Sequence, residues 1–137
     1  MFTRVQKGMS IIVIVMIILA LVVYIRINHA LQPEQKIIFR SNSPDERVEA
    51  ILVSININAT TPEAYWLYIV PKGSEPQKGF ELMRFDRAED LSILWERPKL
   101  LKINYKKARI FYFANFWQSE NIDNYNYIVE LKLNAID

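Results

Sequence analysis

The sequence of 137 residues contains no cysteine, which excludes disulfide frameworks, cysteine-zinc sites and thiol nucleophiles. Its single histidine, His29, excludes a metal site built from several histidines of one chain. With only 3 glycines, the chain also lacks a Gly-rich phosphate-binding loop. We therefore expect no catalytic residue, no metal and no cofactor, and we interpret the chain as a protein that is not an enzyme.

The charge of the chain is divided unevenly along its length. There are 17 Lys and Arg against 15 Asp and Glu, but Arg4, Lys7 and Arg26 flank a long apolar run near the N-terminus. Residues 29–137 carry 14 basic and 15 acidic residues, a formal charge of −1. Proteins that bind nucleic acids concentrate Lys and Arg in their folded part. We therefore expect no nucleic-acid partner.

The apolar run itself predicts a membrane-spanning helix. Residues 11–25 contain no charged side chain, and a helix over residues 9–25 is roughly 25 Å long, close to the thickness of the hydrocarbon core. Arg26 can extend its charged end to the interface, and Tyr24 occupies the position of an interfacial aromatic residue. We predict an uncleaved signal anchor over residues 9–27, with Arg4, Lys7, Tyr24 and Arg26 as the membrane-interface residues.

The basic residues before the run predict its orientation. Arg4 and Lys7 precede it, whereas Arg26 alone follows closely, so the positive-inside rule keeps residues 1–8 in the cytoplasm. A connector over residues 28–35 then leads to an exported domain over residues 36–137. We predict a single-pass protein of the inner (cytoplasmic) membrane, with its C-terminal domain in the periplasm or outside.

Two other interpretations of the N-terminus remain open. A signal peptide cleaved after Ala30 is one, although Asn28 then stands at the −3 position, where small residues are usual. A leader ending at Lys7 and Gly8, similar to that of type IV pilins, is the other. Val13 then occupies the fifth position, where most pilins have Glu, and Pro33 soon interrupts the helix.

The exported part shows strand patterns separated by turn residues. Short runs rich in Val, Ile, Leu and aromatic residues alternate with segments containing Pro, Gly, Asn, Asp and Ser. We predict strands over residues 36–40, 47–57, 64–70, 80–85, 91–96, 101–105, 109–113 and 125–133. Parallel pairs need crossovers of a dozen or more residues, so these short connections favour antiparallel order. The prediction is an all-β domain of about seven to eight short strands, either a sandwich or a partly open barrel.

A dense aromatic segment is the main candidate for binding. Five of the seven residues from 111 to 117 are aromatic: Phe111, Tyr112, Phe113, Phe116 and Trp117. Phe116 and Trp117 begin a polar loop, and aromatic anchors are typical of protein interfaces. We predict that Phe113, Phe116 and Trp117 bind a protein partner. The alternative is that the rings fold back over the open end of the core.

Charged clusters offer weaker candidates. Asp86, Glu89 and Asp90 could bind calcium weakly, although a loop site usually has more ligands. With Glu96 they could also supply the carboxylate pair of a glycan hydrolase. A solvated break between strands is the simpler interpretation. Basic side chains cluster at Lys99, Lys102, Lys106, Lys107 and Arg109. They could face anionic lipid or an acidic partner, or they could occupy solvent-exposed positions around a hairpin.

Several short motifs together resemble a known group. They are Ser43, Pro44 and Asp45; Ala59, Thr60 and Thr61; residues 67–71; and Trp95 followed by residues 101–105. In these the chain is similar to small, uncharacterised bacterial envelope proteins with an N-terminal anchor or lipoprotein segment and an "SPD…ATT…" β-rich domain. Glu46 and Asn58 stand where that pattern has Gly, and the lipoprotein Cys is absent. The resemblance implies an envelope location and a β-rich domain, and it carries no catalytic residue.

These observations favour a membrane-tethered, non-enzymatic binding module. Such a module could act as an immunity or exclusion factor that neutralises an incoming protein, or as an accessory structural subunit of an envelope complex. The carboxylate-based hydrolase is a further alternative. Assembly through the membrane helix itself is the last, but only Ala20 interrupts the large side chains of the run, so close helix packing has little support.

Overall fold

The computed structural model describes residues 4–31, 33–56 and 60–137. The chain divides into two compact units, Met1–Pro33 and Glu34–Asp137. The end of the predicted strand at residue 57 and Ala59, which belongs to the resemblance, lie outside the described residues.

The first unit is a helix, α1, over Arg4–Ala30. Its apolar part, Gly8–Ala30, has 23 residues and is long and apolar enough to cross a membrane, with a length of about 34 Å. A signal sequence near an N-terminus can meet the same criteria of length and composition. The predicted span of residues 9–27 lies within this helix. The helix continues into the predicted connector, and the first strand already begins at Glu34, so the connector is shorter than the predicted residues 28–35.

The second unit is built from short strands. Within the described residues there are nine: β1 Glu34–Asn42, β2 Val48–Asn56, β3 Ala64–Pro71, β4 Met83–Glu89, β5 Ser92–Arg97, β6 Leu100–Tyr105, β7 Lys107–Phe113, β8 Phe116–Trp117 and β9 Val129–Ala135. The all-β prediction is therefore confirmed. The two-residue strand β8 was not predicted, because so short a segment has no periodicity.

The described strands form two open sheets. The first sheet has the order β1-β2-β3-β4-β7, and the second has the order β5-β6-β9-β8. The first sheet is antiparallel throughout. In the second, β6 and β9 are parallel, so the prediction of purely antiparallel order is wrong for this pair. The chain between them is long enough for a crossover because it first adds β7 to the other sheet.

The core lies between the two sheets, which makes the domain a sandwich. Buried side chains of β2, β3 and β4 from the first sheet pack against those of β5, β6 and β9 from the second. Phe85, Leu101, Ile103 and Val129 are fully buried there. In the strands predicted over residues 91–96 and 101–105, the side chains of Ile93, Leu101 and Ile103 all face this core.

A second apolar cluster covers the other face of the first sheet. It consists of Ile51, Val53, Ile55, Tyr68 and Val70 on β2 and β3. Strand β2 is thus buried on both faces, which explains why its sequence is a nearly continuous apolar run rather than an alternating one.

Two strands begin three or four residues later than the sequence pattern predicts. Strand β4 starts at Met83 rather than at residue 80, and it continues to Glu89 through the polar residues predicted as a break. A register shift between Asp86 and Glu89 accommodates Arg87, whose φ is 51°. Strand β9 starts at Val129 rather than at residue 125. Phe80 and Tyr125, predicted as strand residues, therefore lie in loops.

Candidate functional site

The three aromatic residues predicted to bind a partner lie in different environments. Phe113 and Trp117 are partly buried and pack against the core. Phe116 is 51% exposed and lies opposite Glu130 on β9. Of the three, Trp117 lines a cleft.

This cleft lies between the loop after β3 and the loop after β8. Its volume is about 350 Å³, near the lower end of ligand-binding pockets. Strand β3 contributes its last four residues, and the two loops contribute exposed aromatic and polar side chains. The lining consists of residues 68–71, Ser74, Glu75, Gln77, Phe80, Trp117–Asn121 and Tyr125. Phe80 is 71% exposed and Tyr125 is 49% exposed, so large apolar surfaces stand open at the cleft.

The loop after β3 is held by a buried carboxylate. Glu49 on β2 accepts a hydrogen bond from Arg40 Nη1 at 2.9 Å and another from the N–H of Gly73 at 3.4 Å. The same guanidinium reaches Glu75 through Nη2 at 3.1 Å. Gly73 has a φ of 80°, a conformation that glycine adopts without steric cost. These contacts fix the start of this wall of the cleft to the first sheet.

The loop after β8 contains an unusual left-handed turn. Asp123, Asn124 and Tyr125 have φ values of 51°, 47° and 66°, a conformation that costs roughly 1–2 kcal/mol per residue for side chains other than glycine. The Asp123 carboxylate forms a bidentate ion pair with Arg47, with both N–O distances at 2.8 Å. The N–H of Tyr125 donates to the Ser119 carbonyl at 3.0 Å. These bonds hold Tyr125 at the cleft despite the strain.

Beside the ion pair, Tyr127 joins several elements. Its ring is buried, and it lies between the Arg47 guanidinium, 4.7 Å from the ring centroid, and the Lys99 ammonium at 4.8 Å. Its O–H is 2.7 Å from Asp45 Oδ2 and 3.1 Å from the Pro98 carbonyl oxygen. Asp45 also accepts a hydrogen bond from Ser43 at 2.6 Å. These bonds tie the segment from Ser43 to Asp45, one of the motifs of the resemblance, to the core.

Two of the four acidic residues considered for hydrolysis, Asp86 and Glu89, are ion-paired across strands. The Arg109 Nε donates to Asp86 Oδ1 at 2.8 Å, and its Nη2 contacts the other carboxylate oxygen. Glu89 lies 4.0 Å from the Lys107 ammonium. Hydrogen bonding to Arg109 keeps the pKa of Asp86 below its ordinary value of 3.8. Within the part of the chain that the structure describes, no three His, Asp or Glu side chains converge as a metal-binding group.

The predicted interface residues at the membrane all lie on α1. Arg4 and Lys7 belong to its beginning, and Tyr24 and Arg26 to its last turns.

Two buried tyrosines, Tyr68 in the lining of the cleft and Tyr127, have phenol groups with a raised pKa. Burial, and then the charge of Glu81, raise the pKa of Tyr68 to about 12. Burial, and then the hydrogen bond to Asp45, raise the pKa of Tyr127 to about 12. Because both phenols ionise near 10 in an unfolded chain, their stabilising contribution is complete below pH 10 and is lost as the pH rises through 12.

We therefore expect an ultraviolet titration at 295 nm to show a late phase near pH 12. The Tyr68→Phe variant should remove part of this phase, because it lacks one of the two phenols whose pKa is raised to about 12. Titration of all tyrosines near pH 10 in a chain that is still folded would contradict the assignment.

Two cleft residues were missed by sequence reasoning. Phe80 and Tyr125 were counted as strand residues because each begins an apolar or alternating run. Their positions next to Gly79 and in an Asn-rich segment were the available signals that they belong to loops.

Comparison with protein-family models, with curated proteins and with solved structures finds no match to this chain.

Proposed function

We propose that the chain is a membrane-tethered, non-enzymatic binding module, and that the cleft between the loops after β3 and β8 receives a protein partner. The observation that carries this proposal is the exposure of Phe80 and Tyr125 at a cleft that Trp117 also lines. Aromatic side chains beside a cleft supply most of the binding energy in many protein interfaces. The cost of the left-handed turn at Tyr125 supports a functional role for its position.

The membrane helix supports the tethering part of the proposal. We propose that α1 remains attached as a signal anchor in the inner membrane, with its N-terminus in the cytoplasm and Glu34–Asp137 in the periplasm or outside. A tether keeps the domain at the bilayer and raises its local concentration for a partner in the same place. The resemblance to bacterial envelope proteins agrees with this location.

Binding is favoured over hydrolysis by the positions of the carboxylates. Asp86 and Glu89 are engaged by Arg109 and Lys107 across β4 and β7, and neither residue lines the cleft. Among binding roles, an immunity or exclusion factor would have one incoming protein as its partner. An accessory subunit of an envelope complex would instead copurify with a stable assembly.

The test is in-cell cross-linking and purification of the full-length protein from detergent-solubilised membranes of its own cells. We expect a partner with the wild type and at least a tenfold loss of that partner with the double variant Phe80→Ala, Tyr125→Ala. The matched control is Phe111→Ala, Tyr112→Ala. It also removes one exposed Phe and one exposed Tyr, but from β7, outside the cleft.

A third variant separates the cleft from the surface predicted from the sequence. Phe116→Ala removes the exposed side chain of that prediction. Loss of the partner with Phe116→Ala alone would transfer the binding site to the outer face of the second sheet. Retention of the partner by the cleft variant, or the absence of any specific partner with the wild type, would contradict the proposal. Circular dichroism of each variant checks that the domain is folded.

A further inference from the structure

We infer that the partner docks by placing one arginine side chain in the cleft, where its guanidinium stacks on aromatic rings and pairs with Glu120. This inference rests on the proposed function, because it names the group that the same cleft receives. A guanidinium is planar, stacks on aromatic faces and forms paired hydrogen bonds with a carboxylate. The walls of the cleft offer both kinds of contact.

The contacts of the cleft come from its two loops, because the strand beneath them is closed. Tyr68, Ile69 and Val70 are buried, and the Pro71 carbonyl already accepts a hydrogen bond from the Ser74 N–H at 2.9 Å. The loop after β3 and the loop after β8 form the two walls, and each provides at least one aromatic and one acidic side chain. A ligand therefore meets the side chains of the loops rather than the backbone of β3.

Aromatic rings stand on both walls of the cleft. Phe80 belongs to the loop after β3, and Tyr125 belongs to the loop after β8. Both are exposed, whereas Trp117 on the second wall packs partly against the core. A cation that lies over the face of such a ring, within about 6 Å of its centroid, is attracted to it, and arginine makes this contact more often than lysine. The rings therefore favour a cation on an apolar stem over a neutral polar group.

The charges that line the cleft are negative. Of the described residues in the lining, the charged ones are Glu75 and Glu120. Arg40 donates to Glu75 at 3.1 Å and to Glu49 at 2.9 Å, so one positive charge offsets two negative ones. Glu120 is exposed and, among the described residues, has no ion-pair partner. Both walls therefore keep negative charge that complements a cation and repels an acidic group.

The basic side chains of the neighbouring segments do not supply this cation. The Lys72 ammonium lies 3.3 Å from the Glu46 carboxylate, and Arg47 is paired with Asp123. Neither of these two basic residues lines the cleft, and Lys78 in the loop after β3 does not line it either. Among the described residues, the lining thus contains carboxylates without a basic residue, and the complementary charge has to come from the ligand.

The wall that carries Glu120 is ordered before a ligand arrives. The Ser119 carbonyl accepts hydrogen bonds from the N–H groups of Ile122 at 3.2 Å and Tyr125 at 3.0 Å. The Ser119 hydroxyl accepts a third from the Asn121 N–H at 3.2 Å. Glu120 lies within the turn that these bonds form. A preorganised wall binds more tightly because less conformational freedom is lost on binding.

The polar remainder of the lining suits a guanidinium better than an ammonium group. A guanidinium has five N–H donors in a plane, whereas an ammonium has three. The amide oxygens of Gln77, Gln118 and Asn121 line the cleft with Glu120 and can accept the donors that the carboxylate leaves free. The volume of about 350 Å³ suits one long side chain rather than a folded surface. We therefore commit to arginine rather than lysine.

The test begins with a phage-displayed library of random hexapeptides selected on the full-length protein in lipid nanodiscs. Peptides that also bind the Phe80→Ala, Tyr125→Ala variant are removed. We expect the remaining peptides to share an arginine and to be poor in Asp and Glu. The strongest peptide is then synthesised with this arginine replaced by citrulline, which keeps the shape without the charge, or by lysine, which keeps the charge without the plane.

Binding of the three peptides is measured by fluorescence anisotropy. We expect citrulline to weaken binding at least about tenfold, because it removes the charge that complements the cleft. Lysine should weaken binding about threefold to tenfold, because an ammonium lacks the stacking and the paired hydrogen bonds of a guanidinium. The arginine peptide should bind the Phe111→Ala, Tyr112→Ala control as tightly as it binds the wild type.

The pairing with Glu120 is tested separately. Glu120→Gln should weaken the arginine peptide about threefold to tenfold at low salt and should change binding of the citrulline peptide less than about twofold. A general distortion of the cleft would weaken both peptides alike. The matched control is Glu96→Gln, which removes one exposed carboxylate from β5, outside the cleft. Equal effects of the two substitutions on the arginine peptide would overturn the pairing.

Four further results would overturn the inference. They are selection of no cleft-dependent peptide, selection of cleft-dependent peptides without arginine, binding of the citrulline peptide as tight as that of the arginine peptide, and equally tight binding of the lysine peptide. If one of these occurs while the cross-linked partner is still lost with the cleft variant, the proposed function stands and only the arginine ligand is wrong. If the partner does not depend on the cleft at all, both fail together.

Discussion

Replacing Phe85 with alanine is expected to lower the free energy of unfolding of the domain by about 3–5 kcal/mol, the usual cost of deleting a buried Phe side chain. Phe85 is fully buried between the two sheets, and its ring stacks on Tyr65 at a centroid distance of 5.4 Å. Because domains of this size have a total stability of about 5–15 kcal/mol, a large part of it should be lost. The melting temperature should fall by about 15–30 °C.

The matched control for this prediction is Phe80→Ala. Phe80 is the same residue type, but it is 71% exposed in the loop after β3. Its replacement should change stability by less than about 0.5 kcal/mol, as is usual for surface positions. Both variants are measured by denaturant unfolding of the full-length protein in detergent, followed by circular dichroism. Equal destabilisation by the two variants would show that Phe85 is not in the core.

Replacing Tyr127 with alanine is expected to cost a similar amount, about 3–5 kcal/mol. The buried ring fills the end of the core between Arg47 and Lys99, and its hydroxyl ties Asp45 and Pro98 to β9. The Tyr127→Phe variant separates these contributions, because it keeps the ring and removes the hydroxyl. We expect it to cost about 1.5 kcal/mol, the lower end for a hydrogen bond to a charged group, since Asp45 is exposed.

Tyr112→Phe is the control for the hydroxyl. Tyr112 lies on β7, is 43% exposed and contacts Arg84 through its ring at 5.3 Å. Removing its hydroxyl should leave stability unchanged within about 0.5 kcal/mol. If Tyr127→Phe is as harmless as Tyr112→Phe, the hydrogen bond to Asp45 does not stabilise the folded domain.

The stability predictions also make the binding experiments interpretable. Trp117 packs against the core as well as lining the cleft, so its replacement would confuse loss of folding with loss of binding. Phe80 and Tyr125 are more exposed and give a cleaner test. Asp123 is less suitable for the same reason as Trp117, because its ion pair with Arg47 holds the left-handed turn in place.

Periodicity predicted the strands that are buried on one face. Ile93, Leu101 and Ile103 alternate in the sequence and face the core, because a strand with one dry face requires an apolar side chain at every second position. The same rule failed at Tyr125, where the alternation continues into a loop. Asp123, Asn124 and Tyr125 adopt a left-handed conformation before β9 begins. The ion pair between Asp123 and Arg47, which are distant in sequence, and the hydrogen bond from the Tyr125 N–H to the Ser119 carbonyl hold this conformation.

The parallel pair of β6 and β9 could not be predicted from connection lengths. Each consecutive connection is short enough for an antiparallel turn. After β6, however, the chain leaves the second sheet, and its next strand, β7, pairs with β4 in the first sheet. Sheet membership depends on which faces can be buried together, and this is a property of the whole domain rather than of neighbouring residues.

By itself, the amino-acid sequence determined the apolar helix, the all-β class and the positions of most strands, since these depend on local hydrophobic patterns. Only the tertiary structure decided that Phe113, Phe116 and Trp117 lie in different environments, and that Trp117 shares a cleft with Phe80 and Tyr125. Which loops fold against the end of β3 depends on the packing of the whole domain rather than on the local sequence, and this is why the cleft could not be predicted.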